Sequence, residues 1–174
     1  MKIVYIGAGS FRFSYQLFRN FAALAKDYSY ELWLIDINAP LLDIMTKMLK
    51  RIIKKYHLDD KLTLYASTDR TQALENADIV MVSISVGQQT SELVDVHIPL
   101  KFGIPQTVGD TVGPGGIFRA LRVVPIIKNI ILDVQEYCPH ATVLCYTNPM
   151  TTSVYGALKS FPNIETLGIC HELM

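Results

Sequence analysis

Five short clusters in the sequence hold residues able to do chemistry. The first is Gly7-Ala8-Gly9-Ser10, directly after the apolar run Lys2–Ile6. In a dinucleotide-binding turn the first glycine makes the tight bend, and the second lets the backbone approach a pyrophosphate. The helix that follows offers unpaired N–H groups and a positive dipole end. The usual third glycine would fall at Arg12, so the fingerprint is incomplete, and its support is the strand–turn–helix context. Asp36 stands 27 residues after Gly9, at the end of a second apolar run. A carboxylate there accepts from a ribose 2′-OH and repels a 2′-phosphate, which favours NAD over NADP.

The other clusters fall after later apolar runs. Ser83–Gln89 is rich in small residues and able to pass close to a nicotinamide ring, and Asp110 lies on a stretch that continues Gly113-Pro114-Gly115-Gly116. In Tyr146-Thr147-Asn148-Pro149 the Asn148 amide can both donate and accept, and Pro149 biases it away from helix. Such a side chain suits vicinal sugar or ribose hydroxyls, and equally suits a helix cap. Cys170-His171 pairs two soft-metal ligands. Neighbours on an extended strand point to opposite faces, so one ligand is expected rather than two. The pair is too small for a closed structural zinc site, and a strand-end cysteine commonly packs a core instead. His57, His97 and His140 have no spacing that completes a site.

The elements that position these clusters are legible as alternation. Short apolar runs at Lys2–Ile6, Glu31–Asp36, Leu62–Ala66, Ile79–Ser83, Thr142–Tyr146 and Thr166–Ile169 read as parallel strands covered on both faces. Helical periodicity predicts helices over Phe13–Lys26, Pro40–Tyr56, Thr71–Asn76, Glu92–Phe102, Gly116–Tyr137 and Met150–Ser160. In the second of these, Leu41, Ile44, Met45, Met48 and Ile52 form the expected core stripe, with Lys47, Lys50, Lys54 and Lys55 facing water. The pattern is that of an α/β, Rossmann-type doubly wound parallel sheet of six strands in the order 3-2-1-4-5-6. The Gly103–Gly116 stretch is expected to be a long functional loop.

Composition narrows the functional classes. The chain has 174 residues, half of them apolar, with 16 basic and 16 acidic side chains and no net charge. One domain is expected at this length. Neutral charge without a basic tract argues against nucleic acid, whose binding rests on phosphate neutralisation. No apolar run approaches the roughly 18 residues of a membrane span. The apolar start stops at Gly7, too short for a secretory leader. Three cysteines make no disulfide framework. These observations lead us to expect a soluble, cytoplasmic protein.

Taken together, Gly7-Ala8-Gly9-Ser10, the run Gly109–Arg122 with its Gly-Asp-Thr-Val-Gly-Pro-Gly-Gly core, Thr147-Asn148-Pro149-Met150 and Gly168-Ile169-Cys170-His171 resemble the family 4 glycoside hydrolases, in order and over residues 1–174. The α-galactosidase and α-glucosidase branch is the most similar, because 6-phosphoglycosidase branches carry Asp or Asn where this sequence has His171. The resemblance implies hydrolysis of α-glycosides outside the two-carboxylate scheme. The sugar C3 hydroxyl is oxidised by NAD⁺, the C2 proton is removed, the aglycone is eliminated, water adds and the ketone is reduced again. Mn²⁺ or another divalent metal acts as a Lewis acid on the C2 and C3 oxygens.

Carried onto this sequence, the resemblance places Gly7, Gly9 and Ser10 at the pyrophosphate and Asp36 at the adenosine ribose. Asn148 would bind sugar hydroxyls, and Cys170 would be a metal ligand. His171 and Asp110 would be catalytic, beside the leaving group, the sugar or the metal. Family members are much longer, and their C2 base and second metal-binding histidine follow the cysteine motif. Residues 1–174 are therefore expected to form the NAD-binding domain, without the substrate domain and inactive alone, and to belong to a homo-oligomer. Two other readings compete. A lactate/malate-type 2-hydroxy-acid dehydrogenase shares the glycine turn, the strand-two acid and an Asn-Pro corner, and would use Arg119 and Arg122 on substrate. A non-catalytic nucleotide-binding module shares only the first half.

Overall fold

The structure, a computed structural model, describes residues 1–170. Six strands, β1 (Lys2–Ile6), β2 (Tyr30–Ile35), β3 (Leu62–Ser67), β4 (Ile79–Val82), β5 (Thr142–Cys145) and β6 (Thr166–Gly168), form one sheet. Their order is β3-β2-β1-β4-β5-β6 and every pairing is parallel. This is the Rossmann-type order expected from the sequence. Six helices connect the strands: α1 (Phe11–Asp27), α2 (Ala39–Lys55), α3 (Thr71–Leu74), α4 (Gln88–Lys101), α5 (Gly113–Tyr137) and α6 (Met150–Ser160).

Strand side chains alternate between two cores. Ile3 and Tyr5 of β1 join Leu17, Phe18, Leu49 and Ile53 of α1 and α2 in one layer. Val4 and Ile6 join Leu74, Val123, Ile127 and Ala157 of α3, α5 and α6 in the other. Both faces of the sheet are thus covered, which is why the strands read as continuous apolar runs.

Two expectations are corrected. The buried stripe of α2 is Leu42, Met45, Leu49 and Ile53, while Leu41 and Ile44 are exposed. The four lysines do face water. The helix is capped by Asn38, whose side chain accepts from Leu41 N–H at 3.1 Å, and the face it turns to the sheet centres on Met45 and Leu49, with Met48 and Ile52 at its edge. Leu41 lines a cleft above the sheet instead. The second correction concerns the glycine-rich loop. Gly113-Pro114-Gly115-Gly116 is the first turn of α5, and α4 begins at Gln88. Proline is tolerated in a first turn because its missing N–H has no helical partner there, so the true loop is only 102–112. Among the described residues, no helix is long and apolar enough to cross a membrane.

Candidate active site

The carboxyl ends of the strands converge on one edge, where open parallel sheets bind ligands. At β1, Gly7 has φ +99°, and its N–H donates to Ile35 O at 2.8 Å. A Cβ at Gly7 would lie 1.9 Å from Ser83 O, so this bend admits only glycine. Gly9 donates its N–H to Asp36 Oδ2 at 2.8 Å, and a Cβ there would meet that oxygen at 2.7 Å. Asp36 Oδ1 accepts Asn38 N–H at 2.9 Å, so one carboxylate joins the turn after β1 to the turn after β2. Beneath the bend, Ser14 Oγ donates to Ala8 O at 3.0 Å and lies 3.0 Å from Tyr5 Oη. Because the Ser14 hydrogen is committed to Ala8, Tyr5 donates to Ser14. Burial pushes the Tyr5 phenol up to about 12.

These turns and the segment after β4 line a cleft of about 1050 Å³, including Gly7, Gly9, Ser10, Asp36, Ser85 and Gly87. Ser10 makes no side-chain cap bond to α1, and the first turn of α1 holds no acidic residue. Its N–H groups therefore remain available to an anion. A dinucleotide fits this arrangement: a close backbone approach at two glycines, an electropositive helix end and an acceptor for a ribose hydroxyl. Thr68 and Arg70 also line the cleft. Neither is visible as a site residue in the sequence, since the β3 turn carries no glycine signal; Arg70 is paired with Asp133 through Nε at 2.6 Å.

At the end of β5, Thr147 is buried, and its Oγ1 accepts Ile84 N–H at 2.9 Å. That bond ties the corner to the segment lining the cleft. Asn148 precedes Pro149 through a cis peptide bond. The exposed Asn148 side chain is not engaged as a cap: its Nδ2 donates to Asp110 Oδ2 at 3.1 Å. Two residues 38 apart in sequence are thereby brought together.

Cys170 lies two residues beyond β6 and is half-buried. Its neighbour Ile169 donates its N–H to Cys145 O at 3.0 Å. His171 lies outside the described residues. Among the described residues no three His, Cys, Asp or Glu side chains gather as a metal centre. Cys138 and Cys145 are buried in the core, and burial pushes both thiols up, Cys138 to about 11. They are packing residues.

Arg119 and Arg122, the arginines a dehydrogenase would turn to substrate, are both engaged with α4. Arg119 pairs with Glu92 at 3.0 Å, and Arg122 forms a two-pronged pair with the buried carboxylate of Asp95. Sequence reasoning missed this ladder, although 92/95 and 119/122 share the i, i+3 spacing that puts each pair on one helix face.

The family model described as Family 4 glycosyl hydrolase matches residues 2–174. Among curated proteins, an alpha-galactosidase of Bacillus subtilis (strain 168) is 39% identical over 173 residues, covering 99% of this chain and 39% of that protein. An alpha-galacturonidase of Thermoanaerobacter italicus is 40% identical, covering 99% of this chain and 37% of that protein. The chain thus spans well under half the length of these relatives. Of solved structures, a 6-phospho-alpha-glucosidase from gut microorganisms in complex with NAD and Mn²⁺ superposes with a TM-score of 0.86 at 25% identity, covering 97% of this chain and 38% of that one. A malate dehydrogenase of Cryptosporidium parvum superposes with a TM-score of 0.62 at 18% identity, covering 96% and 44%, a likeness of fold alone.

Proposed function

The chain belongs to the family 4 glycosyl hydrolases, and from that premise we propose that it is the NAD-binding domain of an α-glycosidase that works by transient oxidation at the sugar C3. The observation that carries this reading is the tie between the glycine-turn cleft and the Asn148 corner, made by Thr147 Oγ1 and Ile84 N–H. When bound, NAD⁺ supplies a hydride acceptor, and a divalent metal such as Mn²⁺ supplies a Lewis acid for the C2 and C3 oxygens. Gly7, Gly9 and Ser10 admit and bind the pyrophosphate, and Asp36 accepts from the adenosine ribose. Asn148 donates to Asp110, so its Oδ1 is left to accept from a sugar hydroxyl. Cys170 is a metal ligand, and His171 acts at the substrate beside it.

The unphosphorylated α-glycoside preference rests on His171 and on the likeness to an alpha-galactosidase and an alpha-galacturonidase. This reading assigns cofactor binding to residues 1–174, which cover 39% and 37% of two glycosidase relatives, and expects no turnover from them alone. On this reading the working enzyme is a cytoplasmic homo-oligomer.

Calorimetric titration with NAD⁺ and NADP⁺ tests the cofactor reading. Saturable NAD⁺ binding, tighter than NADP⁺ and weakened at least about tenfold by Asp36→Ala, is expected for loss of a charged hydrogen-bond acceptor. Failure of the folded chain to bind either nucleotide would overturn it.

A further inference from the structure

We infer that Gln106 is a positioning residue that sets Asp110 against Asn148. The loop 102–112 contains no helix or strand to fix it, yet Asp110 is held within hydrogen-bond distance of Asn148. The Gln106 amide accounts for this. Its Nε2 donates to Val112 O at 3.2 Å, and its Oε1 accepts Gly115 N–H at 3.3 Å. One planar group thereby closes the loop onto the first turn of α5, with Asp110 inside the segment between Gln106 and its partner Val112.

The glycines of the first turn of α5 are shaped around that amide. A Cβ at Gly113 would stand 2.7 Å from Gln106 Nε2, and one at Gly115 would stand 3.0 Å from Oε1 and 2.6 Å from Asp95 O. The glycines therefore make room for a side chain inside the loop, as well as for the helix behind it. The inference deepens the function proposed above and rests on its reading of Asn148: Gln106 fixes Asp110, Asp110 takes an Asn148 amide hydrogen, and the Asn148 carbonyl is turned outward to a hydroxyl.

The test is the side-chain amide resonance of Asn148 in the isotopically labelled chain, assigned by its loss in Asn148→Ala. Asp110→Ala gives the position of the unpaired amide. Gln106→Met, which keeps the bulk and removes both hydrogen bonds, is expected to move the Asn148 pair to that position. Gln106→Glu retains acceptance from Gly115 but not donation to Val112, and is expected to move it part-way. NAD⁺ affinity should stay within about twofold in both variants, since the cleft does not use Gln106. A Gln106→Met or Gln106→Glu chain that folds and keeps the wild-type Asn148 resonance would overturn the inference. Loss of NAD⁺ binding in the wild type would count against the proposed function instead, and leaves the resonance test standing.

Discussion

At Gly9 a missing side chain does the selecting. Gly9→Ala would drive a Cβ into the Asp36 carboxylate at 2.7 Å from Oδ2 and 2.8 Å from Cγ. The carboxylate must then swing away, which breaks the bond to Gly9 N–H and misplaces the ribose acceptor. NAD⁺ affinity is expected to fall by about tenfold or more, with a smaller loss in a chain that also carries Asp36→Ala, because the displaced group is gone. Calorimetry on the two single variants and the double variant measures that coupling. At this scale the sequence was informative wherever residue type restricts geometry: Gly7, Gly9 and Asp36 were singled out from it, and the structure brings all three to one cleft. It was silent on Gln106, because a lone glutamine in a loop has no spacing that distinguishes it from a solvated one. It also left Asn148 open between cap and ligand, since its partner Asp110 is brought in by the fold and not by proximity along the chain.

Among the elements, α4 and α5 depend on each other. The hydrophobic stripe of α4 is poor, its buried residues being only Asp95 and Pro99, so its position rests on the ion pairs with Arg119 and Arg122. Asp95 is 5% exposed, and its pair with Arg122 is the better shielded of the two, the Glu92 side chain of the other being 40% exposed. Asp95→Asn is expected to cost about 2–3 kcal/mol, as for hydrogen bonds between charged groups, and to lower Tm by roughly 4–12 °C. Arg119→Ala should cost less than Asp95→Asn, because its partner Glu92 is 40% exposed and so better solvated than Asp95. Calorimetric melting of both variants checks the order. Periodicity located all six helices but set four starts late, α4 by four residues, α5 by three, α1 by two and α2 by one. In α2 the adjacent Leu41 and Leu42 are both apolar, and spacing alone does not say which of them faces the sheet. The start of α5 was hidden because Gly-Pro-Gly-Gly has the composition of a loop, and only its close fit against Asp95 O and Thr111 makes it helix.

For the whole molecule, the two-sided sheet is the most legible feature, and its buried polar groups give it a pH limit. Tyr5 is fully buried with its phenol pushed up to about 12 from an ordinary value of 10.0, chiefly by burial. The folded state thus keeps a proton that the unfolded chain releases. Stability from Tyr5 is intact below pH 10 and is lost as the pH rises from there through about 12, by about 2–3 kcal/mol in all. Denaturant melts at pH 9 and pH 11 should show the loss, and Tyr5→Phe should make it smaller. Burial also pushes Tyr30 up, so some alkaline sensitivity persists in that variant. Tyr5 reads from the sequence only as an apolar strand residue; its place under the glycine bend comes from Ser14, one turn into the next helix.

The Asp36 carboxylate spans two turns, taking Gly9 N–H on one oxygen and Asn38 N–H on the other. Anyone redesigning this domain to accept a phosphorylated cofactor would begin by exchanging that acid for a small neutral residue. The exchange would also unfasten the first glycine turn from the second strand's turn, so a new preference would come with a looser socket. Redesign here therefore has to supply two things at once: room for the phosphate and a fresh brace between the turns.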